Sequence, residues 1–445
     1  MVHAGAGDSG SVQGRRSIAE GRPTGAAGYP GGVMDDGCVG VYLHVPFCAR
    51  VCPYCDFAVV RAPRGPGPLE APYVDALLAE LARRAPDFVR RPPGPAAPAV
   101  GASASPGAPR PGVSIYLGGG TPSLLDPSSV ARLVEAVRAH FPTPPDAAPE
   151  VTLELNPGTT ERGRLPGFRA AGVNRLSVGV QSFDDRVLKR LGRAHRADEA
   201  RATLAAARSA GFENVSVDLI VAAPGQRSAD LERDLEELLA FAPQHVSAYS
   251  LTIEAGTPFE RAARRGQLDL PDEDEAAALL ERLAERLEAA GLVRYELSSF
   301  ARPGRESRHN RRYWQRRPVL GLGVGAWSCE PPGPDAPFGA RRANVRDLAT
   351  YLARLAAGEP ADAAPAERLA ADTARGEAAF LALRTRAGLA AERFAEEFGA
   401  PPRAFWGPAI DELREAGLLV EADGGDLRLS RRGLLLADSV FACFV

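Results

Sequence analysis

No run of eighteen apolar residues occurs anywhere in the 445-residue chain, which excludes a membrane-spanning helix of ordinary length. Residues 1–39 are rich in Gly, Ala and Ser and lack an apolar run of signal-peptide length, so they are expected to form a disordered tail. Cysteine is scarce. Six in a chain this long are too few for a disulfide scaffold, and three of the six crowd into one short loop, which points to a reducing cytosol. An excess of positive charge is missing as well: 53 Lys and Arg stand against 56 Asp and Glu, a net charge of −3. With no electrostatic footprint for a polyanion, nucleic acid is not expected as a partner. The expectation is a cytoplasmic protein with at most peripheral membrane contact.

What the chain does have, from residue 41 onward, is an alternation of short β-branched runs with longer amphipathic segments. The runs are 41–47, 113–119, 150–156, 175–181, 215–221 and 245–251, with helical patterns between them such as Pro127 to His140, Ala197 to Ala210 and Asp230 to Ala240. This pattern predicts an α/β protein built on an incomplete (βα)6-type TIM barrel over residues 40–330, its parallel strands joined by crossover helices. Two stretches dense in Pro, Ala and Gly, Arg91 to Gly112 and Pro142 to Pro149, read as solvated insertions. After Ser328 the composition becomes turn-rich, and residues 331–366 are expected to be a linker. Helical patterns followed by two short apolar runs around Asp423-Gly424-Gly425 predict a small α+β, winged-helix-like domain over 367–445. Its arginines, Arg428, Arg431 and Arg432, are matched by Glu412, Glu415 and Asp423, so a packing role is favoured over DNA binding.

The stretch "CARVCPYC" places Cys48, Cys52 and Cys55 in one loop just after the first strand. A structural zinc site closes four positions and would need a ligand from elsewhere, with His44 the nearest candidate. An iron-sulfur cluster held by three thiolates instead leaves one iron open, which suits direct binding of a substrate or cofactor. Phe47, Tyr54 and Phe57 would keep water from such a cluster. In a parallel barrel the chemistry collects at the carboxyl ends of the strands, and these ends are polar here: the Gly118-Gly119-Gly120 trio, Glu154, Gln181, Asp218 and, a little later, Arg193. Each has a plain reading as a tight turn or a satisfied rim group. Together they describe a pocket for a small, polar, ribose-bearing molecule.

In this order, "CARVCPYC", "YLGGGTPSLL", "LELNP", "VGVQSF", "LGRAH" and "VDLIVAAPGQ" resemble the radical S-adenosylmethionine (SAM) superfamily, in particular the branch of oxygen-independent coproporphyrinogen III oxidase and its haem-chaperone relatives. The resemblance covers roughly 41–328 and, more loosely, the C-terminal domain. It implies a 4Fe-4S cluster on Cys48, Cys52 and Cys55, with SAM on the open iron. It also implies SAM contacts from Tyr42, Tyr54, Gly119, Gly120, Thr121, Glu154, Gln181, Arg193 and Asp218, with Trp327 as an adenine neighbour. In those roles Glu154 would bind ribose hydroxyls and Arg193 would pair the methionine carboxylate. The sequence departs from its relatives at "VAAPG", where a bulkier residue more often precedes the proline.

Two readings follow within the branch. The decarboxylating oxidases carry a further cysteine two residues after the third cluster ligand, where this chain has Phe57, as the chaperone group does. "HNRRYW", residues 309–314, resembles the chaperone group's His-Asn-x-x-Tyr-Trp motif. The segment before the cluster, used by the oxidases, is low in complexity here. These features favour a haem chaperone lacking coproporphyrinogen III oxidase activity, with haem as cargo for acceptor proteins, membrane-bound respiratory enzymes among the candidates, and a homodimer left open. His309 would then be an axial haem ligand, with Tyr313 and Trp314 stacking on the porphyrin. The plainer reading of His309 is a local hydrogen-bonding residue. Cys38, Cys329 and Cys443 show no ligand spacing.

Overall fold

The computed structural model describes residues 39–89, 113–143 and 149–445. The expected N-terminal tail and nearly all of the two Pro-rich insertions lie outside those residues. The six expected strands form close to their expected bounds: β1 Gly40–Val45, β2 Ser114–Gly119, β3 Glu150–Leu155, β4 Arg175–Gln181, β5 Val215–Val221 and β6 His245–Ser250. They lie side by side in chain order, every neighbouring pair parallel, with Gly40 opposite Ser114 and Ser114 opposite Glu150. Nearly every residue in them is buried, as a parallel sheet covered by helices on one face and filled by side chains on the other demands.

The covering helices follow from local chemistry. Pro127–His140 begins where Asp126 accepts a hydrogen bond from the Ser128 backbone N–H at 2.9 Å and Pro127 presets the first turn. Val130, Leu133, Val134 and Val137 then recur at i, i+3, i+4 and i+7, a single stripe buried against the sheet. Truncating Leu133 to Ala would cost about 2–5 kcal/mol through lost burial and the cavity left behind.

The tertiary structure adds a seventh parallel strand. Val319–Leu322 pairs with the free edge of β1, Gly40 opposite Val319. Antiparallel strands extend the sheet from there, Trp327–Glu330, Ala340–Ala343 and Glu367–Arg368 in turn. At the other end Ser299–Ala301 runs antiparallel to β6. Among the described residues the two ends of this sheet do not pair, so the barrel stays open. The helix Arg308–Trp314 packs against the amino ends of the strands. Its first two backbone N–H groups, of Arg308 and His309, donate to the Glu150 carboxylate at 3.1 and 3.0 Å, and the His309 ring meets Ser114. Ser114 and Glu150 open β2 and β3.

Residues 331–366, expected to be a linker, are built into the barrel instead. Besides the strand Ala340–Ala343 they form the helix Leu348–Ala356, whose Tyr351 and Leu355 are buried one turn apart against the helix Glu70–Val89. The Tyr351 hydroxyl donates to buried Glu80 at 2.7 Å, and the same carboxylate takes Asn344 Nδ2 at 2.7 Å and the Gly323 N–H at 2.9 Å. The turn-rich composition of this stretch hid a nine-residue amphipathic helix and a strand.

The C-terminal domain has its own core, centred on Leu383, Leu389, Phe394, Ile410, Leu427 and Phe444. Helices Ala371–Leu383, Ala391–Phe398 and Arg403–Glu415 lead into the expected hairpin, Leu419–Glu421 with Leu427–Leu429, where Gly424 and Gly425 take positive φ. It is fastened to the barrel by Arg316 to Glu377 and Glu397, and by Arg384, whose guanidinium lies 4.6 Å from the centre of a Trp314 ring.

Candidate functional site

The cysteine loop is clamped at its base. Phe47–Cys48 pairs in parallel with Val60–Arg61, the Val60 N–H donates to the Pro46 carbonyl at 2.8 Å, and the Ala62 N–H to the Cys48 carbonyl at 2.7 Å. Within the loop the Cys55 N–H bonds the Cys52 carbonyl at 3.1 Å, a turn that the two-residue spacing permits. All three thiols face a cavity of about 470 Å³ at the carboxyl ends of the strands. Tyr54, Gly119, Gly120, Thr121, Glu154, Gln181, Arg193 and Asp218 line the same cavity, so eight of the ten residues expected around SAM surround the thiols.

Tyr42 and Trp327 are the exceptions. Tyr42 faces a second, smaller cavity of about 270 Å³, which shares Tyr116, Glu154, Tyr249 and Asn310 with the first. Trp327 is 58% exposed and lines neither. Strand alternation is the reason: its neighbour Ser328 turns inward to bond Arg84 and Gly321, which leaves Trp327 on the outer face.

The glycine trio makes room in a way the sequence left open. Gly119 has φ +107°, and a Cβ there would lie 2.5 Å from the His44 ring, while one on Gly120 would meet the Phe47 carbonyl oxygen at 2.8 Å. Their N–H groups are engaged within the protein: Gly119 donates to Glu154 Oε2 at 3.0 Å and Gly120 to the Val45 carbonyl at 2.8 Å. The glycines thus bring bare backbone to the cavity wall and hold Glu154 in place. Tyr116 completes that hold, donating to Glu154 Oε1 at 2.8 Å. Burial pushes the Glu154 carboxyl up to about 7, against the pull of the Tyr116 hydrogen bond and with help from the nearby Asp218 charge. Asp218 is likewise raised by burial, opposed by the hydroxyls of Ser177, at 2.9 and 3.1 Å, and Ser216, at 3.1 Å.

Arg193 reaches across the loop. One terminal nitrogen donates to Cys52 Sγ at 3.5 Å and to the Tyr54 hydroxyl at 3.3 Å. The other donates to the Gly179 carbonyl at 3.0 Å and to Asn156 Oδ1. Among the described residues its buried Nε has no partner, an unsatisfied donor on a side chain that lines the cavity. Burial pushes the Cys48 thiol up to about 11 and raises Cys55 too. A coordinated metal reverses this by deprotonating the thiol outright. Among the described residues no three His, Cys, Asp or Glu side chains converge at the spacing of a single ion. Three thiols facing one cavity, two of them already receiving donors, and an orphaned guanidinium nitrogen fit a multi-iron cluster with an anionic ligand beside it.

Asn156, Tyr116 and Ser177 were not singled out in the sequence, although each lines the cavity. A signal for the first existed: Asn156 stands two residues after Glu154 at the end of the same strand run, hence on the same face.

His309 sits elsewhere. It is 1% exposed, with Nδ1 3.1 Å from Ser114 Oγ, Nε2 3.3 Å from the Tyr313 hydroxyl, and its ring 5.2 Å from that of Tyr116. Both ring nitrogens are taken, so the plainer reading describes His309 as it stands here. Tyr313 and Trp314 line the smaller cavity with it.

The barrel, its three-thiol loop and the polar rim define a radical SAM protein with a HemN-type C-terminal domain: the Radical SAM superfamily model matches residues 106–238, and that of the HemN C-terminal domain matches 369–436. Among solved structures, coproporphyrinogen III oxidase (HemN) from Escherichia coli superposes with a TM-score of 0.73 at 24% identity, covering 92% of this chain and 90% of that one, a likeness of fold. Among curated proteins, the heme chaperone HemW of Mycobacterium tuberculosis is 38% identical over 90% of this chain and 93% of its own length, and that of Bacillus subtilis 31% identical over 91% and 98%. The chain belongs to the HemW family.

Proposed function

We propose that this protein is a haem chaperone, which binds haem and passes it to acceptor proteins, and that it does not oxidise coproporphyrinogen III. The observation that carries the reading is Phe57. It is 61% exposed on the wall of the thiol cavity, at the position where the resemblance places a further cysteine in the oxidases. The likeness to HemW relatives along nine-tenths of the chain supports it.

In this reading Cys48, Cys52 and Cys55 hold a 4Fe-4S cluster. When bound, the cluster supplies an open iron and one-electron chemistry toward SAM. The rest is the work of this chain's own side chains. Glu154, fixed by Tyr116 and Gly119, accepts ribose hydroxyls; Arg193 offers its free Nε to the carboxylate; Asp218 is oriented by Ser177 and Ser216. The cavity of about 270 Å³ lies below the roughly 300–1,000 Å³ that encloses a drug-sized ligand. Haem on His309, Tyr313 and Trp314 therefore requires this cavity to widen.

The test is to reconstitute the protein anaerobically, confirm about four irons per chain, and titrate it with haem and with coproporphyrinogen III in the presence of SAM and a reductant. Haem binding without turnover is expected, and His309→Ala should lose or reshape the bound-haem spectrum while sparing the cluster. Formation of protoporphyrinogen IX would overturn the reading.

A further inference from the structure

The cavity wall contains a continuous chain of hydrogen bonds that ends on two of the three thiols, and its middle member, Asn156, has no other evident task. Arg193 is anchored by the Gly179 carbonyl at 3.0 Å and donates to both Cys52 Sγ, at 3.5 Å, and Asn156 Oδ1. Asn156 Nδ2 donates to Thr121 Oγ1 at 2.8 Å, and Thr121 Oγ1 lies 3.8 Å from Cys48 Sγ.

The directions of these bonds are forced. A guanidinium only donates, so the Asn156 atom facing it is the carbonyl oxygen, and the amide nitrogen faces Thr121. The amide nitrogen also only donates. The Thr121 hydroxyl must then accept from Asn156 and spend its own proton elsewhere, and Cys48 Sγ is within reach. One amide thus sets the direction of a hydroxyl proton toward one cluster sulfur and helps to hold the guanidinium that donates to another.

We infer that Asn156 is a positioning residue that, through Thr121 and Arg193, directs hydrogen bonds onto Cys48 and Cys52 and so raises the reduction potential of the cluster. Hydrogen bonds to ligating sulfurs stabilise the more negative, reduced state and are among the main determinants of such potentials. The inference rests on the cluster assignment proposed above. It also gives Thr121 a role distinct from a direct SAM contact: its hydroxyl proton serves the thiolate.

Asn156→Asp tests the idea with almost no change of shape. A carboxylate accepts only, so it would still pair Arg193 but would take the Thr121 proton and turn the hydroxyl away from Cys48. Thr121→Val removes the hydroxyl at nearly constant volume, and Thr121→Ser restores it. The readout is the midpoint potential of the reconstituted cluster, followed by its visible and electron-paramagnetic-resonance signals during an anaerobic redox titration without SAM. Both Asn156→Asp and Thr121→Val should shift to a more negative potential, and Thr121→Ser should match the parent. If Asn156→Asp takes up no cluster, Thr121→Val decides; if Thr121→Val fails to load while Thr121→Ser loads, the hydroxyl is shown to position the site. Potentials in Asn156→Asp and Thr121→Val equal to the parent's would overturn the inference. Failure of the parent itself to bind a cluster would instead sink the cluster assignment.

Discussion

Replacing Glu154 by Gln keeps the shape of the side chain and removes its charge, which separates what the carboxylate does from what its volume does. Tyr116 can still donate to the remaining oxygen, but the amide nitrogen confronts the Gly119 N–H, donor against donor. Toward SAM the loss is a charge-assisted hydrogen bond, about 1.5–3 kcal/mol, or roughly a tenfold to a hundredfold rise in Kd. The parent should also show a pH dependence that the variant lacks. With the carboxyl raised to about 7 in the empty pocket, the accepting form is about nine-tenths populated at pH 8 and about one-tenth at pH 6, so SAM affinity should fall about tenfold over that range. Stability must move the other way. The folded carboxyl is raised above its unfolded value, so ionisation opposes folding; that penalty is absent below about pH 4.5 and complete above about pH 7. The clash with Gly119 costs Glu154→Gln the same at every pH, so its stability relative to the parent should improve between pH 4.5 and pH 8. Calorimetric titration of SAM into anaerobically reconstituted protein, with thermal melts at the two pH values, measures all three. A flat pH profile in the parent together with unchanged affinity in the variant would remove Glu154 from the SAM site.

Two further outcomes bear on the fold. Burial, reinforced by the Arg312 charge, lowers His309 to about 3, so its neutral form supports folding above about pH 6.5 and that support is lost as pH falls toward 3. His309→Ala should accordingly cost about 1–3 kcal/mol at pH 7, with Ser114 and Tyr313 left unpaired, and should lose stability less steeply than the parent on acidification in urea melts; equal midpoints at pH 7 would refute the packed role. Tyr351→Phe should cost about 1–3 kcal/mol by leaving the buried Glu80 carboxylate short of a donor. An unchanged urea midpoint would mean that the Leu348–Ala356 helix contributes no such anchor to the barrel.

The six barrel strands and the Pro127–His140 helix were legible in the sequence because each is specified locally: a buried parallel strand reads as a short β-branched run between loop residues, and a helix on its surface reads as a stripe with a cap. The thiol loop was legible for the same reason, three ligands within eight positions. The tertiary structure alone decided the rest. Val319–Leu322 is too short to announce itself, and it becomes a strand by pairing with β1, some 280 positions away. Tyr351 and Leu355 looked like part of a linker until the helix Glu70–Val89 offered them a surface. His309 lies in a motif that the sequence could quote but not place, because its partners Ser114 and Glu150 stand at the amino ends of strands 195 and 159 positions earlier in the chain. Short-range chemistry is written in neighbouring residues; which distant side chain completes a hydrogen bond or covers an apolar face is settled only when the chain closes on itself.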